Sequence, residues 1–122
     1  MATKTKQQSS EQLSDDMQQC IANCMECYTV CLQTVSYCLR QGGKLADAAH
    51  IKLMMDCVEI CQTCTNFMIR GSEQYKLTCG VCAEICQMCA DACSRIGEND
   101  KQLALCADTC TRCAESCRQM AA

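Results

Sequence analysis

From residue 20 onward, small apolar side chains recur at steps of three, four or seven residues, and most of them are cysteine. That spacing places each set on one face of an α-helix, with charged and amide side chains on the opposite face. The pattern predicts helices near 10–41, 45–70, 72–96 and 99–120. Gly42-Gly43, Gly71 and Gly97 mark the breaks, and each suits a helix C-terminus that needs a left-handed residue. Ser9 with Gln12, Ser72 with Glu73, and Asn99 with Gln102 read as N-terminal capping signals. Connections this short make consecutive helices antiparallel neighbours. The expected fold is all-α: an antiparallel up-down-up-down four-helix bundle over 10–122, preceded by a flexible tail at 1–9.

The cysteines fix the register. The first helix carries Cys20, Cys24, Cys27, Cys31 and Cys38; the second carries Cys57, Cys61 and Cys64. The third carries Cys79, Cys82, Cys86, Cys89 and Cys93; the fourth carries Cys106, Cys110, Cys113 and Cys117. Thiols thus occupy the inward seam that leucines fill in an ordinary bundle. The four segments form an imprecise internal repeat. A second stripe runs beside the first on the first helix: Ile21, Met25, Tyr28, Leu32, Val35 and Leu39. It predicts self-association through that helix, helped by Ile51, Met55 and Val58 or by Leu53, Ile60 and Phe67. The alternative is that these residues only broaden the core.

Composition changes the picture in one respect. Leu, Ile, Val and Phe number 19 of 122 residues, yet the net charge is only −3, which does not suit a charge-driven disordered chain. The 17 Cys, 13 Ala and 8 Met supply the missing apolar volume, because free cysteine buries like a small hydrophobe. A secreted disulfide scaffold is disfavoured: the cysteine count is odd, the spacing is helical, and no export signal is visible in 1–16. The expectation is free thiols in a reducing, cytoplasmic compartment. No apolar run approaches membrane-spanning length, and the acidic balance offers no basic patch for nucleic acid.

The spacing points to metal chemistry. Seven C-x-x-x-C pairs are present: 20/24, 27/31, 57/61, 82/86, 89/93, 106/110 and 113/117. Side chains four apart on a helix have Cβ atoms about 5–6 Å apart, and two sulfurs on one metal sit roughly 4–4.6 Å apart for bonds near 2.3 Å. One helix can therefore offer a two-thiolate clamp, with facing helices adding bridging sulfurs. Soft thiolates select Cu(I), Zn(II) or iron–sulfur clusters. The core stripes contain no Lys or Arg. Exchanging one thiol proton for one Cu(I) leaves the charge unchanged, whereas four thiolates on Zn(II) leave −2 indoors, so charge favours multiple Cu(I) ions. Iron–sulfur ligation usually draws on loops with a following proline, and this chain has no proline. The five C-x-x-C pairs sit inside helices, without the strand–helix context of a redox motif.

Other soft donors lie at the ends of the stripes. His50 and Met54 continue the stripe of Cys57, at the end shared with Cys38, Cys93 and Cys106. His50 reads equally as a ligand or as a surface histidine at a helix start. At the opposite end Met17, Met68 and Met120 extend cysteine stripes, and for these core filling is the expectation. Asp47 reads as a first-turn dipole partner.

The stretches C-I-A-N-C-M-E-C-Y-T-V-C, C-A-E-I-C-Q-M-C-A-D-A-C and C-T-R-C-A-E-S-C-R-Q-M resemble the bacterial copper storage proteins from Cys20 through Cys117. Without a visible signal, the chain resembles the cytosolic branch. The resemblance implies a non-enzymatic Cu(I) store, a homotetramer of bundles, and a copper mouth at one bundle end, which would fall at His50, Met54, Cys38 and Cys93. Cytosolic members often carry histidines near the loop between the third and fourth helices; here 96–102 has none. The alternative function is a zinc or general thiolate metal buffer.

Overall fold

The computed structural model describes residues 13–122, so the expected tail at 1–9 and the Ser9–Gln12 capping pair lie outside the described residues. It contains helices α1 (Asp15–Gln41), α2 (Ala48–Ile69), α3 (Tyr75–Ile96) and α4 (Lys101–Ala121). A single 3-10 turn, Gly43–Ala46, links α1 to α2. The four expected helices are present, but three begin at other caps than the sequence suggested. α1 starts at Asp15, where the Ser14 hydroxyl accepts from the Met17 N–H at 3.1 Å. Asp15 and Asp16 then place negative charge in its first turn. α3 starts at Tyr75; Ser72 instead turns the preceding loop by accepting from the Gln74 N–H at 3.2 Å. α4 is capped by Asp100, which accepts from the Leu103 N–H at 3.0 Å. Asp47 is more than a dipole partner: it is the N-cap of α2, its carboxylate accepting from the His50 N–H at 3.4 Å.

The glycine breaks also divide. Gly42, Gly43 and Gly71 are left-handed as expected, at φ of +72°, +61° and +69°. Gly97 is not, at φ −104°; the left-handed residue of that loop is Asn99, at φ +68°. Gly97 is needed for a different reason. A Cβ at this position would collide with the side chain of Leu103, which is fully buried beside it.

Each helix packs against two others in a closed ring: α1 against α2 and α4, and α3 against α2 and α4. Short connections make each consecutive pair antiparallel, which gives the up-down-up-down bundle. All 17 cysteines are fully buried and form the core with Met54, Met68 and Leu103. Small residues flank the thiols where α3 and α4 make their extensive contact: Ala83 and Ala90 on one helix, Ala107 and Ala114 on the other. Their seven-residue spacing lets the two backbones approach. Buried Thr34, Thr65 and Thr109 satisfy their hydroxyls within their own helices, donating to the carbonyls of Val30, Cys61 and Leu105 at 2.7–2.8 Å.

The outer stripe of α1 is split. Ile21, Tyr28, Leu32 and Val35 are half-buried against the core of their own chain, while Met25 and Leu39 are more than half exposed. Val58, expected to assist self-association, is instead a core residue. The structure also exposes Leu77, Val81 and Met88 on α3. Among the described residues, no helix is long and apolar enough to cross a membrane.

Candidate metal centre

The sulfurs form a continuous column along the bundle axis. At its middle, Cys27, Cys61, Cys86 and Cys113 come one from each helix, with all four sulfurs within 4.8 Å of one another. Cys86 lies 3.6 Å from both Cys61 and Cys113. Towards one end follow Cys27, Cys31, Cys57 and Cys110, then Cys31, Cys89, Cys106 and Cys110. Towards the other follow Cys24, Cys82, Cys113 and Cys117, then the triplet Cys20, Cys79 and Cys117. Cys27, Cys31, Cys110, Cys113 and Cys117 each belong to two groups, so the groups share ligands and are not isolated sites.

The expected clamp within one helix is only part of this arrangement. Cys27–Cys31 at 3.9 Å and Cys82–Cys86 at 3.7 Å do close within a helix. Most short sulfur–sulfur distances cross between helices instead: Cys24–Cys113, Cys31–Cys110 and Cys57–Cys86 are each 3.6 Å, and Cys20–Cys117 is 3.7 Å. These are touching distances for thiols. Two sulfurs sharing a metal at about 2.3 Å need roughly 4–4.6 Å between them, so each pair has to open by less than about 1 Å.

All 17 cysteines are free thiols. Hydrogen bonds from Cys113 and Cys117 favour the thiolate at Cys24. The donating partner Cys117 is held protonated in turn, pushed up by its hydrogen bonds to Cys113, Cys20 and Cys24. Among the described residues, no Lys or Arg side chain is buried with them. A column of adjacent thiolates would therefore be uncompensated, and a soft cation that replaces the proton at each sulfur removes that cost.

The two ends differ from the middle. At one end His50 is buried, which removes the surface alternative left open by the sequence. Its Nε2 is 3.9 Å from the Cys38 sulfur, and its Nδ1 has no hydrogen-bond partner. Burial lowers the imidazole below its ordinary range and pushes the Cys38 thiol up to about 11. A neutral ring with an unpaired nitrogen is in the form a soft metal ion accepts. Met54 is fully buried in the same helix one turn on. At this end the start of α4 and its N-cap are tied to α1. The Tyr37 hydroxyl donates to Asp100 at 2.6 Å, and the Gln102 amide donates to the Thr34 hydroxyl at 3.0 Å. Sequence spacing gave no signal for these links, because they join residues more than sixty positions apart.

At the other end Cys64 lies 3.5 Å from Cys79, and the Cys79 thiol points its hydrogen at the Met68 sulfur, 3.8 Å away. Met68 is fully buried, whereas Met17 and Met120 are half-buried against the core. Cys38, Cys64 and Cys93 lie outside the five sulfur groups, at the two ends of the column.

The fold and its lining define a class: a four-helix bundle whose core is built from soft-metal donors. The sequence profile of the copper storage proteins matches residues 13–122, and the chain belongs to that family. The Nmul_A1745 protein of Nitrosospira multiformis is 48% identical, superposes with a TM-score of 0.81, and is aligned over 87% of this chain and 94% of its own. The Cu(I)-bound copper storage protein BsCsp3 is 30% identical, with a TM-score of 0.82 over 88% of this chain and 100% of that one. Apo copper storage protein 3 of Bacillus subtilis is 32% identical, with a TM-score of 0.79 over 86% and 98%.

Proposed function

We propose that this protein is a non-enzymatic store that holds multiple Cu(I) ions in its core, bound by the thiolates of all 17 cysteines, with His50 and Met54 as further ligands at the mouth. One observation carries the reading: overlapping groups of three or four buried, free sulfurs lie within 4.8 Å of one another along the bundle. Ligands shared between neighbouring groups suit a cation of single charge. Each Cu(I) replaces one thiol proton, so the column fills without accumulating charge. Zn(II) in the same four-sulfur groups would leave net negative charge in each. The Cu(I)-bound relative supports the same metal. Catalysis has no role in this reading, because the donors are enclosed and each serves as a ligand.

The mouth is the His50 end. Thioether and imidazole hold Cu(I) less tightly than thiolate does, so Met54 and His50 pass copper inward to Cys38 and the column. The protein acts in the cytoplasm, where thiols stay reduced, and it assembles as a homotetramer through the outer face of α1 around Met25 and Leu39.

Anaerobic titration with mass readout tests the function. Cu(I) binds at roughly one ion per cysteine, with thiolate-to-copper absorption growing in step. Saturation by Zn(II) near a quarter of that ratio, without tight Cu(I) binding, would select the zinc or general thiolate buffer instead.

A further inference from the structure

We propose that Met68 is a copper ligand, forming a terminal Cu(I) site with Cys64 and Cys79 at the end of the column opposite His50. The inference rests on the storage reading and extends it to a side chain whose expected role is only to fill space. Three observations single it out. Met68 is fully buried, so no water competes for its sulfur. Its sulfur already faces a thiol, accepting from Cys79 at 3.8 Å, and Cys79 lies 3.5 Å from Cys64. Cys64 belongs to none of the five sulfur groups, and the group nearest it, Cys20, Cys79 and Cys117, has three members where the others have four. This is the place in the column where a further soft donor changes the coordination available.

The chemistry is an exchange without oxidation. Cu(I) displaces the protons of Cys64 and Cys79 to solvent, and two sulfur–copper bonds replace two sulfur–hydrogen bonds. The lone pair on Met68 that had accepted the Cys79 hydrogen then faces the metal. Two thiolates on one Cu(I) already carry a net negative charge. A thioether raises the coordination number to three without adding to it. Leucine would fill the same volume and offer no lone pair, while a third thiolate would add charge.

The test is Met68→Leu, a swap of similar volume that cores tolerate, compared with wild type after anaerobic loading with Cu(I). Selenomethionine-labelled wild type shows a copper–selenium scattering path at bonding distance at the selenium edge; Met68→Leu weakens that path, and Met120→Leu leaves it intact. The variant also loses its last copper equivalent to a chelator at roughly tenfold lower chelator concentration. A copper–selenium path that is insensitive to Met68→Leu, together with superimposable chelator profiles, overturns the inference and leaves the storage reading standing; a path that is absent altogether also removes Met54 from the ligands and leaves the cysteine store. Failure of wild type to take up Cu(I) overturns both. If Met68→Leu does not fold, methyl-carbon NMR of wild type decides: the Met68 methyl resonance shifts as the final equivalents bind, and an unmoved resonance sinks the proposal.

Discussion

The middle of the core and its His50 end are built from the same helices but by different rules. In the middle, Cys27, Cys61, Cys86 and Cys113 represent all four helices, and Cys27 and Cys113 each serve a second group. At the end, Cys38 faces a single imidazole nitrogen, Met54 is buried one turn along the same helix as His50, and Cys38 and Cys93 lie outside the sulfur groups. The middle has redundant ligands, so losing one sulfur leaves the others able to regroup. The end has single contacts, so each side chain there has its own task. The difference teaches that capacity and access can be altered separately.

The largest effect should come from metal itself. The apo core buries thiols in place of leucines and so gains less apolar area, while every ion bound only by the folded state adds stability by mass action. Full loading is expected to raise Tm by roughly ten degrees or more, measured by calorimetry under nitrogen; equal melting of both forms would break the claim that the middle depends on metal. Next is the packing of the end. Gly97→Ala forces a methyl into Leu103 and should cost about 1–3 kcal/mol in denaturant unfolding, while the copper ratio stays at wild type, because no sulfur is touched. A single deletion in the middle is milder. Cys61→Ala should cost about 1 kcal/mol in the apo protein and lower the copper ratio by no more than about one ion, as read by mass spectrometry. A loss of several ions would show that the shared ligands cannot regroup.

His50→Ala should barely change capacity but slow uptake in stopped-flow absorption; unchanged uptake would move the mouth elsewhere. The smallest effect is Tyr37→Phe. The Tyr37 hydroxyl, with the Leu103 N–H, holds the Asp100 carboxyl below its usual range. The stability this adds is present above the usual carboxylate range and is lost as pH falls through the lowered value. Removing the hydroxyl should move Asp100 upward in a carboxyl NMR titration and flatten that part of the pH–stability curve. An unmoved Asp100 titration would show that Asp100 is not the acceptor.

The legible part of the site followed from helical repetition. The positions of Cys20 through Cys117 on four inward faces, and the end at which His50 and Met54 lie, could be read because a helix returns to the same face every three or four residues. Helix starts were less legible. Ser72 and Asn99 both have capping chemistry, yet α3 begins after a turn closed by Ser72, and α4 takes the next residue, Asp100, as its cap. Several residues near an end can cap, and loop geometry selects one. Met68 looked like filler because a thioether in a stripe carries no mark of which sulfur it will face.

The sequence by itself determined that four helices would turn their thiols inward and that those thiols would form the core, since both depend on local periodicity and on the shortage of larger apolar side chains. Only the tertiary structure decided which sulfurs meet. Partners within one helix stand about 5–6 Å apart at Cβ, whereas helices packed side by side push their seams into contact. Cys24 therefore meets Cys113, and Cys57 meets Cys86, across the bundle at 3.6 Å. The same packing buried His50 with one nitrogen unpaired and brought Leu103 against Gly97. Those outcomes depend on how far the helices approach and on the path of the loops, which no single helix encodes.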